Sequence, residues 1–323
     1  MTSARDPAFL DFLRKRVRGT VREGDSLARH STYRIGGPAT VFNPADADDV
    51  TVALAEAHRS GVDSFVLGLG SNVLLPDEGM DALVIRPGKG LQKSEQVESL
   101  WRFGAGLPAP LVARRTADAG WAGLEMMVGV PGTVGGGVYM NAGCHGGQWA
   151  DVVQRVWVAN RQGEVIERAG SDIPFRYRRS GLGDLIVLET EVELRQANPG
   201  ELADAIARHL SWRQAGTPFN QPCCGSVFKN PTWSGEPPGP NVRTAGQLIE
   251  ASGLKGYRIG GVIVSPMHAN YVVNTGDGTA ADVRGLMTHV RRTVLDRYGI
   301  DLEPEVKVIG VRGEWLEEGA TDE

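Results

Sequence analysis

A chain of 323 residues with 41% hydrophobic and 23% charged side chains can bury a sizeable core and is long enough for about two domains. Its net charge of −5 works against electrostatic binding of nucleic acid, which needs lysine and arginine in excess to neutralise phosphates. No apolar run approaches the roughly 20 residues of a membrane span, residues 1–17 lack a signal-peptide core, and the three cysteines (Cys144, Cys223, Cys224) fit neither a zinc tetrahedron nor a disulfide framework, so a cytoplasmic protein with reduced thiols, no membrane partner and no metal is expected.

Residues 6–18 place Phe9, Phe12, Leu13 and Val17 at helical spacing and close on basic residues before Gly19, which predicts a leading helix. Next, Tyr33 and Arg34 approach the Gly36-Gly37 turn ahead of the apolar run 39–42; an exposed strand end and a ligand contact are equal readings of that pair. Residues 46–58 read as a capped amphipathic helix stopped by Gly61, and 65–67 as a buried strand running into Gly68-Leu69-Gly70-Ser71-Asn72. A glycine turn after such a strand can lay its amides against a pyrophosphate. The third glycine of a GxGxxG fingerprint is missing and no helix is predicted after the turn, so an ordinary Rossmann NAD site is disfavoured.

Strands are predicted over 73–75, 82–86 and 100–106, followed by a helix over 108–119. From Gly129 to Gly147 eight of nineteen residues are glycine. A helix or strand interior loses about 0.5–1 kcal/mol per glycine relative to alanine, so this density points to backbone shaped for close approach of a phosphate or flat ring, with a glycine-lined turn between sheets as the alternative. A hairpin over 152–159 and 164–168, the cluster Phe175-Arg176-Tyr177-Arg178-Arg179-Ser180 and a strand over 185–194 complete this half. Asn198-Pro199-Gly200 is a candidate boundary, and a helix over 201–214 follows it. Farther on, Thr279 and Asp282 form a capping box for a helix with Val283, Leu286, Met287, Val290, Val294, Leu295 and Tyr298 on one face, ended by Gly299. Residues 305–311 alternate as a strand.

Taken in order, GLGSN at 68–72, GLE at 123–125, GVPGTVGGGVYMNAG at 129–143, YRRS at 177–180, CGSVFKNP at 224–231, AGQLIEASGLKG at 245–256, IGG at 259–261, HAN at 268–270 and LEPEV at 302–306 resemble the UDP-N-acetylenolpyruvoylglucosamine reductases, also called UDP-N-acetylmuramate dehydrogenases. The resemblance spans residues 29–310, and the ordered set is far more specific than any one motif. It implies an α+β chain with an FAD-binding fold of the vanillyl-alcohol-oxidase (PCMH) type. The boundaries expected are an N-terminal helix at 1–28, an FAD domain at 29–198 with subdomains near 29–90 and 91–198, and an α+β substrate domain at 199–323. The implied reaction is NADPH-dependent reduction, through FAD, of the enolpyruvyl ether of UDP-N-acetylglucosamine enolpyruvate in peptidoglycan synthesis, by a monomer. An FAD oxidase of the same fold and a UDP-sugar-binding protein without flavin chemistry are the competing readings.

By the same resemblance the flavin pyrophosphate lies on Gly68, Leu69, Gly70, Ser71 and Asn72, its ring lies near Gly129, Pro131, Gly132, Thr133, Gly136, Asn141 and Ala142, and Tyr33 and Arg34 fall in the first cofactor-contacting segment. Ser226 matches the family's proton donor, with Gly225 leaving its hydroxyl uncrowded and Lys229 a candidate to stabilise the alkoxide. Arg178 and Glu305 match the catalytic arginine and glutamate that hold charge on the developing enolate; Glu305 must be protonated to donate there. Tyr177, Lys229, Asn230 and His268 are candidate substrate contacts. The short run from Tyr177 to the strand at 185 leaves no room for the extra substrate loop of one branch, so the chain resembles the shorter, second type. Two departures stand out: a lysine common in the loop before Pro218 is missing, and 232–242, with its adjacent prolines, reads as a mobile insertion without assigned structure.

Overall fold

The computed structural model describes residues 2–233, 236–239 and 242–316, so residues 234, 235, 240 and 241 of the expected 232–242 insertion lie outside the described residues. Two compact units emerge, neither continuous in sequence: the first takes residues up to Asp25, Ala39–Leu69 and Asp81–Arg213, the second Ser26–Pro38, Gly70–Met80 and the chain from Gln214 onward.

In the first unit, helix α1 (Pro7–Arg16) starts where the Asp6 carboxylate accepts the Phe9 amide at 2.9 Å, and it buries Phe9, Leu10 and Leu13. It packs on α2 (Ala47–Ser60), which Asp46 caps and Gly61 stops at φ +68°. Between them the carboxylate of Asp49, 2% exposed, accepts the amides of Arg18, Gly19 and Ala45 at 3.0, 2.7 and 2.8 Å. Burial alone would raise its pKa, but these amides and the Arg18 guanidinium outweigh burial and hold it below the usual carboxylate range. A four-stranded sheet runs in the order Thr20–Ser26, Pro38–Asn43, Leu83–Ile85, Ser64–Val66; the strand Leu83–Ile85 is parallel to both neighbours. The strand Ser64–Val66 delivers the 68–72 turn.

The second sheet is antiparallel, ordered Val165–Ala169, Val153–Ala159, Ile186–Glu193, Leu100–Gly104, Ser94–Val97. Helix α3 (Ala109–Asp118) packs against the turn Glu125–Gly129, and a short helix, α4 (Val134–Tyr139), lies on the strand Ile186–Glu193. Helix α4 occupies part of the run read from sequence as glycine-shaped loop. The helix forms in spite of its glycines because packing requires them: a Cβ on Gly135 would lie 2.8 Å from the Ala105 Cβ, and one on Gly137 would overlap the Trp149 indole, 2.9 Å from its Cε2. Helix α5 (Pro199–Gly216) follows Asn198.

In the second unit, the antiparallel strands Arg258–Ile259, Val262–Val264 and Val272–Asn274 pack under α7 (Ala280–Tyr298), against which α6 (Ala245–Ala251) also rests. The Thr279–Asp282 capping box is present. Val283, Leu286, Met287, Val290 and Val294 are buried, whereas Leu295 is 43% exposed because it lies a further 100° round the helix from Val294. Only Lys307–Val308 of the expected 305–311 strand is regular, running parallel to Val73–Leu74. Before it, the Glu305 and Val306 amides share the Val227 carbonyl at 2.7 and 3.3 Å; after it, the Gly310 amide turns to the Glu314 carbonyl, so a longer ladder cannot stay in phase.

Candidate functional site

In the second unit Gly225, at φ +76° with nothing within 4 Å of a built Cβ, swings the chain into Ser226. Ser226 is half-buried, and its hydroxyl makes no hydrogen bond to another described residue. The residues after it pair with the segment that carries Glu305: the Lys229 amide donates to the Glu303 carbonyl at 2.8 Å, and the Glu305 amide to the Val227 carbonyl at 2.7 Å. Ser226 and Glu305 therefore sit on adjoining, hydrogen-bonded stretches of backbone. The Glu305 stretch is also gripped by Asn72, whose Nδ2 donates to the Glu305 carbonyl at 3.2 Å and whose own carbonyl accepts the Lys307 amide at 3.0 Å.

Lys229 is 7% exposed and its ammonium is ion-paired with the more exposed Glu303. The Asn230 Oδ1 accepts the Ala245 amide at 3.1 Å, at the start of α6. His268 Nδ1 accepts the Asn270 amide at 3.2 Å, and its ring meets Tyr271 edge-on at 4.8 Å. Tyr33 is fully buried and its hydroxyl has no hydrogen-bond partner among the described residues. Burial, and then the thiols of Cys224 and Cys223, push its pKa well up. Burial likewise raises the Cys224 thiol to about 12. Arg34 is exposed, at φ +57°.

The 68–72 turn offers donors. Among the described residues the backbone amides of Gly68, Leu69, Gly70 and Asn72 meet no acceptor. Gly70 sits at φ +62°, and a Cβ there would overlap the His30 carbonyl and lie 2.8 Å from the Ser31 Cα, so only glycine makes this turn.

In the first unit the amides of Gly132 and Thr133 are likewise unpaired, while the Thr133 hydroxyl caps α4 by accepting the Gly136 amide at 3.2 Å. Gly129 and Ala142 flank this stretch, and Pro131 is exposed. The Asn141 side chain, 1% exposed, joins the glycine run to the arginine cluster: Nδ2 donates to the Arg176 carbonyl and to Gln148 Oε1, each at 3.0 Å, and Oδ1 accepts the Ala150 amide at 3.0 Å. Arg176 and Arg179 exchange backbone bonds of 2.8 and 3.1 Å, a tight turn with Tyr177 and Arg178 at its corners. Arg178 takes φ +58°; its guanidinium donates to the Gly143 carbonyl at 2.9 Å and lies 4.8 Å over the Tyr177 ring. Beside it, burial raises the Cys144 thiol pKa against the opposing pull of Arg213 and Arg178. His145 stacks on His209 of α5 at 4.1 Å, which anchors the end of the glycine run.

A family model described as the UDP-N-acetylenolpyruvoylglucosamine reductase C-terminal domain matches residues 217–309, and one described as an FAD binding domain matches residues 38–168. A UDP-N-acetylenolpyruvoylglucosamine reductase from Halalkalibacterium halodurans is 38% identical over 94% of this chain and 99% of its own length; one from Caulobacter vibrioides is 40% identical over 92% and 97%. The chain belongs to the UDP-N-acetylenolpyruvoylglucosamine reductase family. The crystal structure of UDP-N-acetylenolpyruvylglucosamine reductase from Thermus caldophilus, at 32% identity, superposes with a TM-score of 0.76 over 90% of this chain and 99% of that one.

Within this reductase-family chain, the C-terminal domain match contains Ser226, Lys229, Asn230, His268 and Glu305, and the FAD-domain match contains the 68–72 turn and the 129–142 stretch. Tyr33, Arg34, Tyr177 and Arg178 lie outside both. Taken unit by unit, the residues present fit a dinucleotide flavin: in the first the unpaired amides of Gly68, Leu69, Gly132 and Thr133 suit phosphate or ring carbonyl oxygens, and in the second those of Gly70 and Asn72 do, beside an orphaned Tyr33 hydroxyl that is a buried donor in need of an acceptor. Sequence reasoning missed the bridging work of the Asn72 and Asn141 side chains, because a side-chain bond to distant backbone leaves no local pattern.

Proposed function

We propose that this protein reduces the enolpyruvyl group of UDP-N-acetylglucosamine enolpyruvate to UDP-N-acetylmuramate, an NADPH-dependent step of peptidoglycan precursor synthesis, in the cytoplasm and as a monomer. Nucleotide sugars and NADPH are cytoplasmic metabolites, and one chain carries every residue assigned below. Bound FAD would supply the redox chemistry, relaying a hydride equivalent (two electrons and one proton) from NADPH to the alkene carbon farther from the carboxylate. The turn at 68–72 and the stretch from Gly129 to Ala142, with Tyr33 and Arg34, hold it.

The remaining work falls to side chains. Ser226 delivers a proton to the alkene carbon next to the carboxylate, and its unengaged hydroxyl is available for that transfer. Negative charge gathers on the substrate carboxylate before the proton arrives. The planar guanidinium of Arg178 holds two of its oxygens in one plane, and protonated Glu305 donates a hydrogen bond to it. Lys229, fixed by Glu303, adds positive potential near the serine oxygen as it loses its proton. Tyr177, Asn230 and His268 bind the substrate. The observation that carries this reading is the direct backbone pairing of the segment after Ser226 with the segment holding Glu305.

The test is anaerobic rapid mixing of the flavoprotein with NADPH and then with the enolpyruvyl UDP-sugar. Replacing Ser226, Arg178 or Glu305 singly by Ala should leave flavin reduction intact and slow reoxidation by the substrate by about 10²-fold or more. Fast reoxidation in all three variants would sink the assignment.

A further inference from the structure

The His268-Ala269-Asn270 motif does something none of these roles uses. Asn270 is 4% exposed, and its side-chain amide satisfies both backbone groups of Phe228: Nδ2 donates to the Phe228 carbonyl at 2.8 Å and Oδ1 accepts the Phe228 amide at 3.0 Å. Its own carbonyl accepts the Val227 amide at 2.9 Å. One asparagine thus stands in for a neighbouring strand along the two residues that follow Ser226. The other edge of that segment is held by Glu303 and Glu305, so it is paired on both sides, while Gly225 on the far side of Ser226 touches nothing through a Cβ. The orientation of Ser226 is set from its C-terminal side. Asn270 is fixed in turn by His268, whose Nδ1 accepts the Asn270 amide at 3.2 Å and so must be unprotonated there.

We propose that Asn270 is the positioning residue of the serine proton donor, and that His268 orients Asn270; this rests on the assignment of Ser226 to proton transfer. A serine hydroxyl must stand within hydrogen-bond reach of the carbon it protonates, and an error of about 1 Å costs on the order of 10²-fold in rate. Only an amide of this length offers a donor and an acceptor to one residue's C=O and N–H. Aspartate keeps the shape but, when ionised, sets an oxygen against the Phe228 carbonyl.

The experiment compares Asn270→Asp, Ser226→Ala and the double variant by anaerobic rapid mixing at saturating substrate, with amide hydrogen exchange of the 226–229 segment as a readout independent of turnover. Expected are unchanged flavin reduction by NADPH, reoxidation slowed about 10²-fold in N270D, no further loss when N270D is added to S226A, and faster exchange at 226–229. If S226A is slow but N270D reoxidises at the parental rate, or the two losses add, the positioning role is overturned and the serine assignment survives. If S226A itself stays fast, the serine assignment falls and takes this inference with it. Should N270D fail to fold, His268→Phe removes the acceptor for the Asn270 amide, and His268→Asn restores one near the position of Nδ1. Slow reoxidation with faster exchange in H268F, both rescued in H268N, supports the proposal; an H268F loss without altered exchange, without that rescue, or no loss at all overturns it.

Discussion

Replacing Asn141 by aspartate separates two accounts of that residue. If its side chain serves only the flavin, the flavin-free protein should not notice the change. The structure says otherwise, because its amide group makes three bonds within the chain, to Arg176, Gln148 and Ala150. Aspartate keeps the bond from the Ala150 amide and tolerates the φ of +44°, but it loses both donated bonds and turns an oxygen toward the Arg176 carbonyl. A buried acceptor left without its donor costs about 1–3 kcal/mol. Gln148 keeps a link to Asp151 through its Nε2 at 3.2 Å, so most of the loss falls on Arg176. We expect N141D to destabilise the flavin-free protein by about 2 kcal/mol, a fall of roughly 4–8 °C in the melting temperature of a unit this size. Because the Arg176–Arg179 turn carries Arg178, reoxidation of reduced flavin by substrate should slow as well. The assay is calorimetry or circular dichroism on protein with and without FAD, followed by the two half-reactions. A flavin-free melt within 1 °C of the parent, with only the flavin-bound melt shifted, would refute the reasoning and return Asn141 to a purely cofactor-binding role.

Tyr33→Phe removes a buried hydroxyl with no partner, so the flavin-free protein should gain about 1 kcal/mol or more in denaturant unfolding; if the hydroxyl meets FAD, flavin affinity should fall in the same variant. Gly137→Ala drives a methyl into the Trp149 indole and should cost about 1–3 kcal/mol, whereas Gly136→Ala, exposed and 3.5 Å from the Thr133 hydroxyl, should cost far less; equal melting temperatures would count against the packing account of α4. Cys224 has a folded pKa near 12 against an ordinary value of 9.0, so the neutral thiol's contribution is complete below about pH 9 and is lost as pH rises through 12. Stability should decline across that window, less steeply in Cys224→Ala, and an unchanged slope in that variant would contradict the assignment. Asp49 runs the other way: with its pKa held below 3.8, its contribution is present above that value and disappears as pH falls, a dependence that Asp49→Asn should abolish.

The helices that bury a periodic face were legible in the sequence. Asp6, Asp46 and Thr279 mark starts and Gly61 and Gly299 mark ends because capping is a local transaction, settled within four residues. Helix α4 was not legible, since the glycines that lower its intrinsic propensity are required by Ala105 and Trp149, residues whose proximity only the folded chain supplies. The membership of Ser26–Pro38 and Gly70–Met80 in the second unit is equally silent in composition. The residues proposed to carry the chemistry were picked out by the ordered motifs, not by periodicity, because Ser226, Arg178 and Glu305 all sit in irregular backbone.

That irregularity explains the asparagines. Catalytic segments with bulges, left-handed residues and tight turns cannot be held by long ladders, yet their carbonyls and amides still need partners when buried. An asparagine carries a donor and an acceptor on a short arm and can supply both without continuing a strand. Asn141, Asn270 and Asn274 use both groups, donating to the carbonyls of Arg176, Phe228 and, at 2.9 Å, Tyr33 while accepting nearby amides; Asn72 lends its donor to Glu305 and Asn230 its acceptor to the start of α6. An asparagine in a loop is ordinarily read as a turn former. The partner of Asn72 lies 233 residues away and that of Asn274 lies 241 away, so no local window could have told these from turn residues. Each is nearly isosteric with aspartate, and the substitution keeps the acceptor while deleting the donor. Asn72, Asn141, Asn270 and Asn274 all use their donors and should suffer from it; Asn230 uses only its acceptor, toward a helix start that favours negative charge, and should bear it best.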